Sequence, residues 1–175
     1  SRSSFTLTAS LPLANGSVDL TDRESLCFLS VCNRHGARDK TICVFKNFGL
    51  LRGAVASTVS HDSHNFTVAY KNPKDAYVSA RYLRDAGGGM CVVLDGEVLA
   101  ALPLPVAGLM SPLSCGDLVQ QIEQLETAVG TVCESRKMMM RIAISSLLAA
   151  PILCISDRGL VDGRTQTFVD LFQSV

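Results

Sequence analysis

Ser60-His61-Asp62-Ser63-His64-Asn65 places two imidazoles, a carboxylate and a carboxamide within six consecutive residues. Side chains of these types exchange protons near neutral pH, ligate divalent transition metals or hydrogen-bond a polar ligand. His61 and His64 stand three apart. In an extended strand they would face opposite ways, whereas a turn lets them converge. Converged, they are candidate metal ligands, with Asp62 and Asn65 as active-site or metal-adjacent groups beside them. The third histidine, His35, follows Arg34 in the charged stretch Asn33-Arg34-His35-Gly36. That stretch could meet an anion or polar ligand, and could bring His35 to the pair from a neighbouring loop. A purely structural account competes with these readings. In it, Asp62 and Asn65 form Asx turns, the histidines bond backbone carbonyls, and Arg34-His35 lies on a solvated turn.

Other motifs carry less chemistry. No G-x-S-x-G or H-E-x-x-H occurs, and no Ser-x-x-Lys in an enzyme context, so residue chemistry alone leaves the chain short of a complete active site. Gly87-Gly88-Gly89 has neither the G-x-G-x-x-G spacing nor the lysine of a phosphate loop, and reads as a helix stop. Met138-Met139-Met140 reads as core filling.

The histidine loop is flanked by strand-like sequence, Val55–Val59 before it and Phe66–Tyr70 after it. Leu26–Cys32 and Thr41–Phe45 are two further strand candidates. Asn72-Pro73 starts a helix, with Asn as N-cap, Pro in the first turn and Ala76, Ala80 and Leu83 as its apolar face. Asp95-Gly96 between apolar runs predicts a tight hairpin. Ser114 and Asp117 form a capping-box variant before a stripe of Leu118, Ile122, Leu125, Val129 and Val132. Met138–Ala149 is a second apolar helix candidate, and Pro151–Ile155 and Gly159–Asp162 are shorter segments. Together these predict an α+β fold: a single domain, with a mixed or antiparallel sheet covered by helices. Residues 1–25 are an N-terminal extension or first strands, and 26–175 the domain proper.

Bulk properties narrow the class. The 175 residues suffice for one domain with a sizeable core. They are 47% hydrophobic and 18% charged, the balance of a folded chain rather than a disordered one. Lys+Arg and Asp+Glu both number 16, with no basic stripe, which argues against nucleic acid or an anionic membrane as partner. No run approaches the roughly 20 apolar residues of a membrane span. The seven cysteines are odd in number, lack a C-x-x-C and sit mostly in apolar runs. They read as buried free thiols of a reducing cytosol. The apolar content points to an interface with another domain or subunit. The opening Ser1-Arg2-Ser3-Ser4 lacks Met, as a fragment or processed product would.

Several blocks follow one another in a distinctive order. They are Asn33-Arg34-His35-Gly36, Phe48-Gly49-Leu50, Gly53-Ala54-Val55-Ala56-Ser57, and the histidine loop. After them come Gly87-Gly88-Gly89-Met90, Leu102-Pro103-Leu104-Pro105, Ala107-Gly108-Leu109-Met110-Ser111 and Ser156-Asp157-Arg158-Gly159-Leu160-Val161-Asp162. This order, from Leu26 to Asp162, resembles the C-terminal domain of bacterial adenine deaminase, an amidohydrolase-superfamily enzyme. The resemblance implies a cytoplasmic purine-salvage hydrolase that converts adenine to hypoxanthine and ammonia. It also implies a manganese or iron centre in an N-terminal barrel domain, the partner this chain would support or cap, and a homo-oligomer. That centre needs several histidines and a barrel aspartate, so this chain alone is expected to be inactive, with no cofactor certain for it. His35, His61, Asp62 and His64 would then approach the barrel's mouth. Two other classes stay open: a non-catalytic structural or oligomerisation domain, and a small independent metal-binding module.

Overall fold

The computed structural model describes residues 10–14, 16–20 and 23–171. A two-residue hairpin, Leu13–Ala14 (β1) and Ser17–Val18 (β2), precedes the main sheet. That sheet contains Leu26–Cys32 (β3), Lys40–Lys46 (β4), Ala54–Ser57 (β5), Phe66–Tyr70 (β6), Gly89–Leu94 (β7) and Glu97–Pro103 (β8). Their spatial order is β4-β3-β6-β5-β7-β8, and every pairing is antiparallel, which resolves the mixed-or-antiparallel alternative. Pro73–Asp85 (α1) packs on one face. Cys115–Val132 (α2) and Met138–Ser145 (α3) cover the other, together with a small sheet of Leu153–Ser156 (β9), Gly159–Asp162 (β10) and Thr167–Val169 (β11). The α+β single-domain expectation holds.

Local signals act where they were expected. Asn72 caps α1 by accepting from Lys74 N–H at 2.9 Å. At its other end, Gly88 N–H reaches Leu83 C=O (2.7 Å) and Gly87 N–H reaches Arg84 C=O (3.2 Å), the paired bonds of a Schellman stop. Asp95 (φ 56°) and Gly96 (φ 86°) both occupy the left-handed region, as a type I′ hairpin turn requires. β8 pairs with β7 through a bulge, two residues (Val98 and Leu99) standing where β7 advances by one.

Three expectations shift. The inward face of α1 is Asp75, Ser79 and Leu83, with Ala76 and Ala80 only half-buried. Two polar residues are tolerated there because their polar atoms are paired. Asp75 Oδ1 accepts from Gly96 N–H at 2.7 Å, and Ser79 Oγ donates to Asp75 C=O at 2.8 Å. In α2 the core stops at Leu125: Leu118 is half-buried and Ile122 exposed. The apolar period records amphipathicity, not how much of the helix is covered. Helix α3 ends at Ser145 rather than Ala149, because Ser145 Oγ turns back onto Ile142 C=O (2.7 Å) and Ser146 Oγ bonds His61 C=O (3.0 Å). Met138 fills the core as expected, while Met140 is exposed.

All seven cysteines are free, and Cys27, Cys43, Cys91, Cys133 and Cys154 are buried. Burial pushes the thiols of Cys27, Cys91 and Cys133 up to about 12 and raises that of Cys43 as well. Cys115 alone is exposed. A thiol reagent at neutral pH should therefore modify Cys115 first, and the buried thiols only on unfolding. Fast reaction of Cys91 or Cys133 in the native protein would contradict the packing.

Asp75→Ala removes the charged acceptor that joins α1 to the β7–β8 turn. Its expected cost is about 2 kcal/mol. At this chain length that is a fall of roughly 4–8 °C in Tm, which calorimetry would read. Asp75→Asn, which keeps an acceptor, should recover part of the loss.

Candidate functional site

Antiparallel topology brings distant loops to one end of the main sheet: the β3–β4 loop, the β5–β6 loop, the glycines before β7 and the segment after β8. The C-terminal end of α3 and the β9–β10 turn join them there.

The β5–β6 loop is fastened from below. Ser60 is fully buried, its hydroxyl shared with Thr67 Oγ1 (2.8 Å) and Ser146 Oγ (2.5 Å). His61 N–H donates to Ala143 C=O at 3.1 Å, and Ser146 Oγ donates to the His61 carbonyl. His64 closes the turn with φ 50° and an N–H bond to Ser60 C=O at 2.7 Å. The two imidazoles do converge, with ring centroids 5.6 Å apart and planes at 66°. His61, Asp62 and Ser63 are exposed at the tip, His64 is half-buried, and Asn65 is 2% exposed. His64 Nδ1 and Asn65 Oδ1 are buried with no hydrogen-bond partner among the described residues.

The β3–β4 loop clamps the same turn from the side. Asn33 Oδ1 accepts from His35 N–H (2.9 Å) and Ala37 N–H (3.1 Å), while its Nδ2 donates to Asp157 Oδ2 (2.8 Å). Arg34 donates from Nε to His64 C=O and from Nη2 to Ala107 C=O at 2.8 Å. His35 Nε2 bonds Ser63 C=O at 2.9 Å. So Arg34 and His35 do come to the histidine loop, where both engage backbone carbonyls, the bonding the structural account expects of the histidines, and His35 stays exposed.

A third clamp comes from Thr58. Its Oγ1 donates to Gly108 C=O (2.6 Å) and accepts from Gly89 N–H (2.8 Å). The two glycine segments lie so close that a Cβ on Gly88 would sit 2.4 Å from Gly108 Cα. Thr58, Ser60, Ser146 and Asp157 build the site although none is among the candidate residues, Ser60 entering only as the first residue of the histidine run and Asp157 only through the resemblance. The hydroxyl-rich run Ser57-Thr58-Val59-Ser60 carried a faint signal for the first two. Nothing local marked Ser146, whose partner is 85 residues away.

A structural transition-metal site takes four ligands, and a catalytic one takes three from the protein plus water. His61 and His64 supply two, and among the described residues no group of three or more His, Cys, Asp or Glu is placed to hold an ion. The residues present do not fit a metal centre held by this chain alone. What they do fit is hydrogen bonding and proton exchange at an exposed imidazole–carboxylate–hydroxyl tip on a rigid base.

Comparison with known proteins gives this end of the sheet a context. The family described as the adenine deaminase C-terminal domain matches residues 4–167. A protein of Chelativorans sp. (strain BNC1) named adenine deaminase is 38% identical over 159 residues, covering 89% of this chain and 26% of the relative. Proteins of the same name from Escherichia coli O1:K1 and Escherichia fergusonii are 38% identical over 154 residues, covering 86% of this chain and 26% of each relative. The chain thus spans about a quarter of the length of these curated relatives.

Arg34→Ala should release the clamp. Losing hydrogen bonds from a charged donor costs roughly 1.5–3 kcal/mol, and Arg34→Lys should recover only part because it lacks the planar fork. Hydrogen exchange checks the location: protection should fall at 61–65 and 106–110 while β5–β7 stays protected. Unchanged exchange in both loops would contradict the clamp.

Proposed function

The chain belongs to the adenine deaminase C-terminal domain family, and from that premise we propose that it supports or caps the active site of a longer adenine deaminase. The observation that carries this reading is the exposed tip His61-Asp62-Ser63, held from three directions by Ser146, Arg34 and Thr58 with its neighbours. A loop that only reversed the chain would not need three separate anchors to fix where an imidazole points. Fixed polar groups of this kind orient a ligand and close a site against water.

In the longer protein, hydrolysis of adenine to hypoxanthine and ammonia is assigned to the preceding portion, an amidohydrolase-type barrel. Its manganese or iron would lower the pKa of bound water. No step of that chemistry runs through the present residues. The share of this chain is positional: His61 and Asp62 face the mouth of the neighbouring site, and Arg34, His35, His64 and Asn65 set their geometry. The chain by itself has no turnover. A place in cytoplasmic purine salvage follows from the same reading. No helix among the described residues is long and apolar enough to cross a membrane.

A structural or oligomerisation role is the second reading. It draws on Arg34 and His35, which direct their donors to backbone carbonyls rather than to solvent.

Kinetics of the full-length protein separate the two. His61→Ala should lower kcat/KM at least tenfold, about 1.4 kcal/mol of transition-state stabilisation, with Tm unchanged because its ring is exposed. His64→Ala should lower both kcat/KM and Tm. Wild-type kcat/KM in His61→Ala would reject the active-site reading and leave the structural one.

A further inference from the structure

The segment after β8 combines rigidity with apolar exposure. Val106 to Met110 forms a closed turn, with Met110 N–H donating to Val106 C=O (3.1 Å), Val106 N–H to Met110 C=O (3.2 Å) and Leu109 N–H to Val106 C=O (3.0 Å). Leu104, 6% exposed, roots the segment in the core, and its N–H bonds Gly88 C=O at 3.1 Å. Thr58 holds Gly108 and Arg34 holds Ala107. Yet Val106 is 45% exposed, Met110 57% and Leu113, just ahead of α2, 41%. A loose loop could fold such side chains down onto the protein. This one is bonded at every turn and presents them outward, as contact surfaces do.

The same guanidinium grips Ala107 C=O and His64 C=O, so the apolar knuckle and the histidine loop are one rigid piece. The turn that carries Val106 and Met110 is thereby joined through Arg34 to the loop that carries His61. The size of the patch and the length of the relatives decide the occupant. Three part-exposed side chains fall well short of the roughly 800 Å² per partner of a standard free-standing interface. A second copy meeting only here would not hold. A covalently joined partner needs less contact, because tethering raises its effective concentration to the millimolar range. The relatives provide one: the stretch that this chain matches is 26% of their length and, by the family's description, the C-terminal part.

We infer that the Val106–Leu113 knuckle is the docking surface for the preceding portion of the full-length protein. This rests on the reading of the chain as the C-terminal domain of a longer enzyme, and adds which surface makes the join.

The test uses full-length protein carrying p-benzoylphenylalanine at position 110. Irradiation should give an intrachain crosslink to the preceding portion, mapped by peptide mass spectrometry, at unchanged mass on a denaturing gel. A doubled mass, from capture of a second copy, overturns the inference, and so does the absence of any crosslink. Met110→Asp supplies a second readout: cleavage between the two portions under limited proteolysis should quicken several-fold. Met140→Asp, a control at another exposed methionine (60%), should not change it. Equal rates in the two variants overturn the inference. The functional reading fails separately. A crosslink together with wild-type kcat/KM in His61→Ala keeps the docking surface and removes the active-site role. Impaired His61→Ala kinetics without a crosslink removes the docking surface alone.

Discussion

A sheet whose central strands are buried on both faces can offer polar chemistry only at its ends. Here β5 is buried along its whole length, as are all but the first residue of β6, between α1 on one side and α2 and α3 on the other. A charged or polar group placed mid-strand would be cut off from water. The few that occur, such as Ser30 in β3 and Thr67 in β6, are small and neutral. Antiparallel pairing then decides which loops meet. Every strand that runs toward the histidine end must return from it, so β3, β5 and β8 deliver their exits where β4, β6 and β7 begin.

Within that frame two side chains do most of the joining. Thr58 and Arg34 each bond backbone groups of two different segments, and together they connect four: the β3–β4 loop, the β5–β6 loop, the start of β7 and the turn after β8. Backbone carbonyls are acceptors that any sequence supplies, so a guanidinium spent on them fixes geometry rather than selecting an anion. His35 does the same on a smaller scale. The result is a division in which buried or bonded residues fasten the loop and His61, Asp62 and Ser63 stay exposed at its tip.

Sequence disclosed the parts governed by near neighbours. The Asn72-Pro73 start, the Ser114 cap and the Asp95-Gly96 turn are all settled within three or four residues, and each formed where expected. The inward face of α1 is legible only in part: Leu83 is buried and Ala76 packs beside it, but Asp75 looks like a surface residue until Gly96, 21 positions on, is seen to donate to it. The apolar run beyond Ser145 suggests a longer α3 for a similar reason, since Ser146 answers to His61 rather than to its own helix. The candidate site was legible as a list of residue types, and the histidines converged as a turn would allow. Its assembly was not legible, because Arg34 reaches a carbonyl 73 residues away and Thr58 one 50 residues away. The family resemblance rests on an order of blocks and specifies none of these contacts.

The bulge at Leu99 has a bearing on solubility. β4, one margin of the main sheet, carries exposed Lys40 and Lys46 at its two ends, and solvated lysines discourage another strand from adding on. β8, the opposite margin, has no lysine or arginine and runs Val98-Leu99-Ala100-Ala101-Leu102. Straightened, it would template a strand from any unfolded neighbour and seed fibril growth. The extra residue twists that margin and breaks its repeat, and Pro103 removes a donor at the strand's end. Deleting Leu99 would restore an even repeat along that margin and with it the template for an added strand.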